Sequence, residues 1–212
     1  MSEDQAARPF VQRLRADLLA GRFRSGQWLK QVDLQADYGV NRFEVRIALS
    51  DLAARHLLDH FPNRGYRVAN PGEQEREDLY ELRTMLETAA SKIVVLRVTP
   101  SDVQEFAVLV QAFNDAIDSE HVDNLSRINY ELHDRFYQIT GNALLVHQIR
   151  ELRERGVPGR VSSWRTVAGI KASNSDHLEM LDMLKQRDAE GLAHIVYRHL
   201  NRWREFSKAS FE

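Results

Sequence analysis

Residues 39–49 read GVNRFEVRIAL, and this stretch decides how the N-terminal part of the chain folds. Gly39 suits the left-handed cap that ends one helix, and Asn41 suits the N-cap that begins the next, predicted over residues 42–56. The inner face of this second helix is apolar and consists of Val45, Ala48, Leu49 and Leu52. Its first turn is basic, which is the usual arrangement in a helix that enters the major groove of DNA.

The flanking segments add two helices and a hairpin. Apolar residues at helical spacing predict helices over residues 8–21 and 32–38. Two short runs separated by the turn sequence PNRG predict a β-hairpin over residues 57–68. Residues 1–70 are therefore predicted to form one small domain of helices and a hairpin.

After Pro71 and Gly72 the chain is predicted to be helical. A long amphipathic helix comes first, with apolar positions at Leu79, Leu82, Leu86, Ala90 and Ile93. Five more helices are predicted over residues 101–119, 123–139, 142–155, 174–187 and 189–207. Residues 71–212 thus make a bundle of about six helices in a mainly α protein, and ligand sites in bundles usually lie between facing helices.

The composition limits the classes of function. Hydrophobic residues make up 43% and charged residues 28% of the 212 residues, as in ordinary globular proteins. Cysteine is absent, which excludes disulfides and thiolate metal sites. No apolar stretch reaches the roughly 20 residues of a membrane helix, and the polar N-terminus lacks the features of a signal peptide. We therefore expect a cytoplasmic protein with no membrane partner.

The charges are unevenly distributed along the chain. Residues 1–70 carry 11 basic and 8 acidic side chains, a net charge of +3, while the remainder carries −5. A basic part joined to an acidic part suggests that the first meets a polyanion. The residues that suit this contact are Asn41, Arg42, Phe43 and Arg46 in the first helical turn, and Arg64 and Gly65 at the hairpin tip. On charge alone, a solvated helix face and an ordinary turn remain an open alternative.

The amino-acid sequence of this region resembles the winged helix-turn-helix of the GntR family, in its FadR-like branch. The match over residues 20–69 runs through Gly21-x-Phe23-x-Ser25-Gly26-x-x-Leu29, the GVNRFEVRIAL stretch, and the wing Pro62-Asn63-Arg64-Gly65-Tyr66-x-Val68. The resemblance implies DNA contacts at Asn41, Arg42, Phe43, Arg46 and Arg64, with Gly65 shaping the wing. Phe43 and Glu44 depart from the small hydroxyl residue and the proline that are common in the family. A glutamate is unfavourable near phosphate unless it caps the helix or pairs with an arginine.

Residues 74–207 resemble the FCD ligand-binding domain that follows this winged helix. The cues are Leu79-Tyr80-Glu81-Leu82-Arg83-x-x-x-Glu87, Leu132-His133-x-x-Phe136, Gly141-Asn142, His177-x-x-Met180-Leu181 and His199-Leu200. Many FCD domains hold a divalent metal with one Asp and three His. The resemblance places these ligands at Asn129, His133, His177 and His199, with Asn129 standing where the family has Asp.

The helical pattern predicts that these four side chains all point into the bundle. Asn129 and His133 lie on the apolar face of one helix, and His177 and His199 each align with apolar residues of their own helices. Imidazoles with an oxygen ligand suit Zn or Ni. An amide is a weaker, neutral ligand than a carboxylate. Three alternatives therefore stay open: weaker metal binding, binding by histidine alone, or no metal and histidines that bind an anion directly.

Arg83 lies beside the apolar face of the first bundle helix. Arginine suits a carboxylate effector because its planar fork binds one bidentately, and the family binds small organic acids. An ion pair with Glu87 explains the same residue equally well.

Together these features predict a ligand-responsive transcription regulator, a repressor that leaves double-stranded operator DNA when a small organic acid or related metabolite binds. The resemblance implies a homodimer. The alternative is a metal-dependent hydrolytic enzyme that uses the three-histidine pocket. The sequence contains no Glu-x-x-His pair, no Gly-rich phosphate loop and no nucleophile-elbow motif. We therefore do not expect an enzyme. A purely helical interaction protein is a third class, against which the hairpin and the basic turn argue.

Overall fold

The computed structural model describes residues 3–117, 122–156 and 166–204. These residues fall into two compact units that meet in sequence between Gly72 and Glu73, and residues 154–156 are grouped with the first unit. No helix among the described residues is both long enough and apolar enough to cross a membrane.

The first unit contains helices and a small antiparallel sheet. Its elements in chain order are α1 (Glu3–Ala20), β1 (Trp28–Leu29), α2 (Gln31–Tyr38), α3 (Arg42–Ala54), β2 (Leu58–Phe61) and β3 (Gly65–Val68). The predicted hairpin is confirmed as β2 and β3, and β1 pairs with β3 on its free side, so that the strand order is β1-β3-β2. The third strand was not predicted, because two residues are too few to show an alternating pattern.

The core of the first unit lies under α3. Its buried face is the predicted one, Val45, Ala48, Leu49 and Leu52, and it packs on α1 through Phe10, Leu14 and Leu18. Gly39 ends α2 at a φ of 64°, in the left-handed region, as the sequence predicts. The predicted start of α1 at residue 8 is wrong, since the helix already begins at Glu3. The residues before Pro9 are polar and show no apolar periodicity from which a helix could be predicted.

The second unit is a helical bundle. Its elements are α4 (Glu73–Arg97), α5 (Pro100–Ile117), α6 (Val122–Gln138), α7 (Ala143–Arg155), α8 (Val167–Gln186) and α9 (Ala189–Asn201). The closest helix pairs are α4 with α9, α5 with α6 and α8, and α8 with α9. The apolar core between them includes Val94, Phe106, Phe113, Leu132, Phe136 and Leu184. The ligand candidates of the FCD resemblance are carried by α6, α8 and α9, which face this core.

Two further predicted helix ends differ by two residues or more from the structure. α8 begins at Val167 rather than at residue 174, because Thr166 caps it by accepting a hydrogen bond from the Gly169 N–H. The predicted end of α3 at residue 56 is also wrong, since the helix stops at Ala54 and His56 adopts a φ of 59°. The predicted helix ends at residues 119 and 207 lie outside the described residues.

Candidate functional site

The first turn of α3 is held by a reciprocal pair of side-chain bonds. The Asn41 Oδ1 accepts hydrogen bonds from the N–H groups of Phe43 and Glu44, at 2.9 and 3.0 Å. The Glu44 Oε2 accepts one from the Asn41 N–H at 2.8 Å. This is a capping box, and it also places a carboxylate where the helix dipole favours a negative charge. Glu44 therefore has a structural reason to stand at this position.

The side chains that face solvent from this turn are Arg42, Phe43 and Arg46. Val45 and Leu49 are fully buried on the opposite side, so the packing of α3 fixes which face is exposed. Phe43 is 45% exposed, so part of its apolar ring faces solvent. The predicted residues Arg42, Phe43 and Arg46 are thus exposed together on one helical turn, and their contact with DNA stays a prediction.

The turn between β2 and β3 forms the wing. Asn63 and Gly65 have φ values of 61° and 97°, and Arg64 lies between them at the tip. The Arg64 guanidinium lies 5.0 Å from the centre of the Trp28 ring, a cation–π distance. Trp28 was missed as a candidate, because only the β1–β3 pairing brings it beside the wing.

The three predicted histidines converge from three helices. His133 of α6, His177 of α8 and His199 of α9 each offer a ring nitrogen, and these atoms all lie within 4.8 Å of one another. The Nε2 atoms of His133 and His177 are 3.3 Å apart. His133 and His177 are fully buried, and the His199 side chain is 14% exposed. The cluster has the size and donor type of a site for one divalent ion.

Burial favours the neutral form of two of these imidazoles, those of His133 and His177. Burial lowers the pKa of His133 well below its ordinary value, and the charge of Arg153 lowers it further. Burial and the neighbouring His199 lower the pKa of His177 in the same way. A neutral imidazole is the form that binds a metal, so the rings are ready for an ion at neutral pH.

Asn129 lies one turn before His133 on α6. Its Oδ1 is buried and accepts no hydrogen bond, and the Nδ1 atoms of His133 and His177 are buried and unpartnered as well. Buried polar atoms without partners are costly, and a bound cation satisfies an oxygen of this kind. The three imidazoles therefore fit a divalent ion, and the unpartnered oxygen of Asn129 is a candidate for a further ligand.

Asp176 contacts the cluster through a hydrogen bond from His199. It is fully buried and accepts hydrogen bonds from Arg198, from Arg202, and from the His199 Nδ1 at 3.2 Å. Burial alone would raise the pKa of Asp176, but the bonds from His199 and the two arginines hold it well below its usual range. The bond to Nδ1 leaves Nε2 of His199 as its metal-binding atom. Sequence reasoning missed Asp176, although an acidic residue directly before His177 was a usable signal.

Arg83 takes part in a buried ion pair. Its Nε donates to the Glu87 carboxylate at 2.7 Å, and that carboxylate also accepts from the Tyr137 hydroxyl at 2.7 Å and from Arg153 at 3.2 Å. Of the two roles that the sequence left open for Arg83, the ion pair is therefore present in the structure. Arg153 was not predicted, and it lines a cavity of about 10 Å³ together with His133.

Comparison with known families agrees with this arrangement. Residues 7–68 match the family described as bacterial regulatory proteins, gntR family, and residues 78–202 match the FCD domain. The chain belongs to the GntR family. It is a DNA-binding transcription regulator of the GntR/FCD type that responds to a ligand.

Relatives of this GntR-family chain have regulatory names. The Nta operon transcriptional regulator of Aminobacter aminovorans is 28% identical over 182 residues, which cover 85% of this chain and 84% of that protein. The transcriptional repressor GlaR of Escherichia coli K12 is 31% identical over 99 residues, 47% of this chain and 44% of that protein. The structure of E. coli McbR/YncC has the same fold, with a TM-score of 0.86 over 97% of this chain and 98% of the other, at 21% identity.

Proposed function

We propose that this GntR-family chain is a repressor that binds operator DNA as a homodimer and releases it when a small carboxylate binds beside the three histidines. The observation that carries the proposal is the convergence of His133, His177 and His199 inside the FCD domain. The name of the relative GlaR, a transcriptional repressor, favours repression as the direction of control.

The pocket would hold a divalent ion, with Zn or Ni as the metals that its nitrogen-rich donor set suits. The three imidazoles would bind it, and the Asn129 amide oxygen would complete the set. A bound ion supplies a positive coordination site for an anionic oxygen of the effector. Asp176 contributes by fixing the orientation of His199.

The charge around the pocket favours an anionic effector. The ligand set itself is neutral, so it does not compensate the charge of a divalent ion. Next to the cluster, the one buried carboxylate of Glu87 is shared by two guanidinium groups, those of Arg83 and Arg153. A small carboxylic acid would supply the missing negative charge.

Arg153 is the residue that we propose to meet the effector carboxylate. It lies next to His133, with which it lines a cavity that has room for about one water molecule. Of the three groups that bond to the Glu87 carboxylate, Arg153 is the most distant, at 3.2 Å. Arg83 would belong to the same effector site by anchoring Glu87, with which it shares a buried bond. Guanidinium groups at such a site bind a carboxylate bidentately.

The DNA interface would consist of the first turn of α3 and the wing. Arg42 and Arg46 suit base edges or phosphates in the major groove, with Asn41 and Phe43 beside them, and Arg64 suits the backbone next to the groove, where Gly65 permits close approach. Two copies in a homodimer would read two half-sites. The regulatory names of the relatives favour this role over the hydrolytic alternative, and we propose no turnover.

Gel retardation tests this function. Duplexes enriched from a random pool by the full-length protein are challenged with a panel of small mono-, di- and tricarboxylic acids. Wild type is expected to release DNA with at least one acid. His177→Ala is expected to bind DNA without responding, while His194→Ala, at an exposed position of α9, responds as wild type does. Retention that no acid changes, or equal release from His177→Ala, would contradict the proposal.

A further inference from the structure

Phe43 presents an apolar ring between two exposed arginines on the first turn of α3. It is 45% exposed on the first turn of α3, and the exposed side chains beside it are Arg42 and Arg46. Nothing in the packing of the first unit uses this ring, since the apolar core under α3 is formed by the opposite face. A large apolar side chain that is exposed on this turn is available to a partner outside the unit.

The capping box occupies backbone N–H groups that this turn could otherwise offer to DNA. Helix N-termini commonly bind phosphate through free backbone N–H groups. Here the N–H groups of Phe43 and Glu44 are bonded to the Asn41 side chain, and that of Asn41 is bonded to Glu44. The Glu44 carboxylate also repels a phosphate at this point. At position 43 the ring is therefore the group that remains available to DNA.

The major groove offers one apolar group to such a ring. Base edges there present hydrogen-bond donors and acceptors, except for the C5 methyl group of thymine. We infer that Phe43 selects a thymine in each half-site by contacting its C5 methyl group. The inference rests on the proposed DNA interface and adds to it the identity of one base.

The expected effect is the loss of one buried methyl contact. Replacing that thymine by deoxyuridine, which differs only by the methyl group, should weaken binding about fourfold for each half-site. Replacement of other thymines in the same duplex should leave the affinity unchanged. A residue that acted through hydrogen bonds would not separate these two bases, because their polar groups are identical.

The experiment uses full-length protein and a duplex enriched from a random pool. Deoxyuridine replaces each thymine in turn, and dissociation constants are measured by fluorescence anisotropy. Wild type and Phe43→Leu, which keeps an apolar side chain, should show one sensitive thymine in each half-site. Phe43→Ser should bind the thymine and deoxyuridine duplexes equally. Because the ring is exposed, both variants should have the melting temperature of wild type.

The outcomes distinguish the inference from the interface on which it rests. If a duplex is enriched but no thymine is sensitive, or if Phe43→Ser keeps the sensitivity, the assignment of Phe43 is wrong while the DNA interface stands. If no duplex is enriched from the pool, the interface itself is wrong and the assignment is overturned with it.

Discussion

Arg42 and Arg46 are the charged side chains that the first turn of α3 leaves available to DNA. Asn41 and Glu44 use their polar atoms to cap the helix. Both arginines are exposed. The contribution of this turn to operator binding should therefore depend on guanidinium groups and on the Phe43 ring.

Substitution of Arg46 tests this view directly. Arg46→Ala should lower operator affinity about tenfold or more, the cost of one good base contact, without changing the melting temperature. The matched control is Arg55→Ala at the other end of α3, where the arginine is paired with Asp51 at 2.7 Å. Anisotropy with an enriched duplex measures both variants. Wild-type affinity in Arg46→Ala would remove this residue from the interface.

The buried ion pair of Glu87 leads to a separate prediction, about the free energy of unfolding. Glu87→Gln leaves Arg83 buried without its counter-ion and should lower the free energy of unfolding by about 3 kcal/mol at pH 7. The control is Glu131→Gln, which breaks an exposed pair with Arg127 and should cost well under about 1 kcal/mol. Urea unfolding at equilibrium measures both changes.

The pH dependence of this effect has a definite sign. Burial alone would raise the pKa of Glu87, but the charges of Arg83 and Arg153 and the hydrogen bonds from Arg83 and Tyr137 lower it below the ordinary 4.5. A lowered pKa means that the stabilisation is complete above about pH 4.5 and is lost as the pH falls below it. The difference between wild type and Glu87→Gln should therefore shrink in acid. A difference that grows there would show that Glu87 is buried in its neutral form.

At the scale of elements, α8 carries both a histidine of the cluster, His177, and the carboxylate that bonds to another of its histidines, Asp176. Successive residues of this helix, Asp176 and His177, point to different partners: the carboxylate bonds to residues of α9, and the imidazole lies against His133 of α6. The pairing of α8 with α9 thus sets both the ligand atoms and the orientation of one of them. Loss of the bonds between Asp176 and α9, or of the contact between His177 and His133, should disturb metal binding more than it disturbs the fold.

Metal uptake tests whether these helices assemble a site for an ion. Protein purified without a histidine tag should bind about one Zn or Ni ion per chain and gain thermal stability, because only the folded chain assembles the site. His177→Ala should lose both effects, and His194→Ala should keep them. Elemental analysis and thermal unfolding with and without a chelator give the two readings. A molar ratio near zero in wild type would rule out the metal.

The wing should act differently from the recognition helix. Arg64→Ala should weaken binding to all DNA sequences alike and reduce the slope of log affinity against log salt by about one, since a phosphate contact is lost. Trp28→Ala should have a smaller effect of the same kind, because the indole supports the guanidinium without contacting DNA. Titration at several salt concentrations separates this from loss of base recognition. A change in preferred sequence with an unchanged slope would place Arg64 on a base.

Much of this arrangement could be predicted because local patterns encode it. Gly39 and Asn41 mark helix ends through their backbone and side-chain chemistry, and histidines on apolar faces point into a bundle. Arg153 could not be assigned in this way, since its role depends on which helices meet. The position of Asp176 directly before His177 was a usable local signal, but its bonds to Arg198 and His199 also depend on how α8 packs on α9. The same holds for Trp28, whose position beside Arg64 depends on pairing across the sheet. Contacts between distant segments are therefore what the sequence alone did not reveal.

At the scale of the whole molecule, the two halves differ in charge as well as in fold. The part that carries the winged helix has a net charge of +3, and the part that carries the FCD domain has −5. This difference should confine non-specific DNA contact to the first part. The proposed sites for DNA and for the acid effector lie in different parts of the chain, and two distinct sites are a requirement for allosteric control.

The central claim is that the effector pocket and the DNA interface are energetically coupled. The most direct measurement is calorimetric titration of the most effective acid from the release panel into the free protein and into the protein–DNA complex. Linkage requires that the acid binds the complex more weakly by the same factor by which it lowers DNA affinity. We predict a factor of about 10 or more, with no heat of binding in His177→Ala. Equal affinity of the acid for the free and the DNA-bound protein would contradict the account.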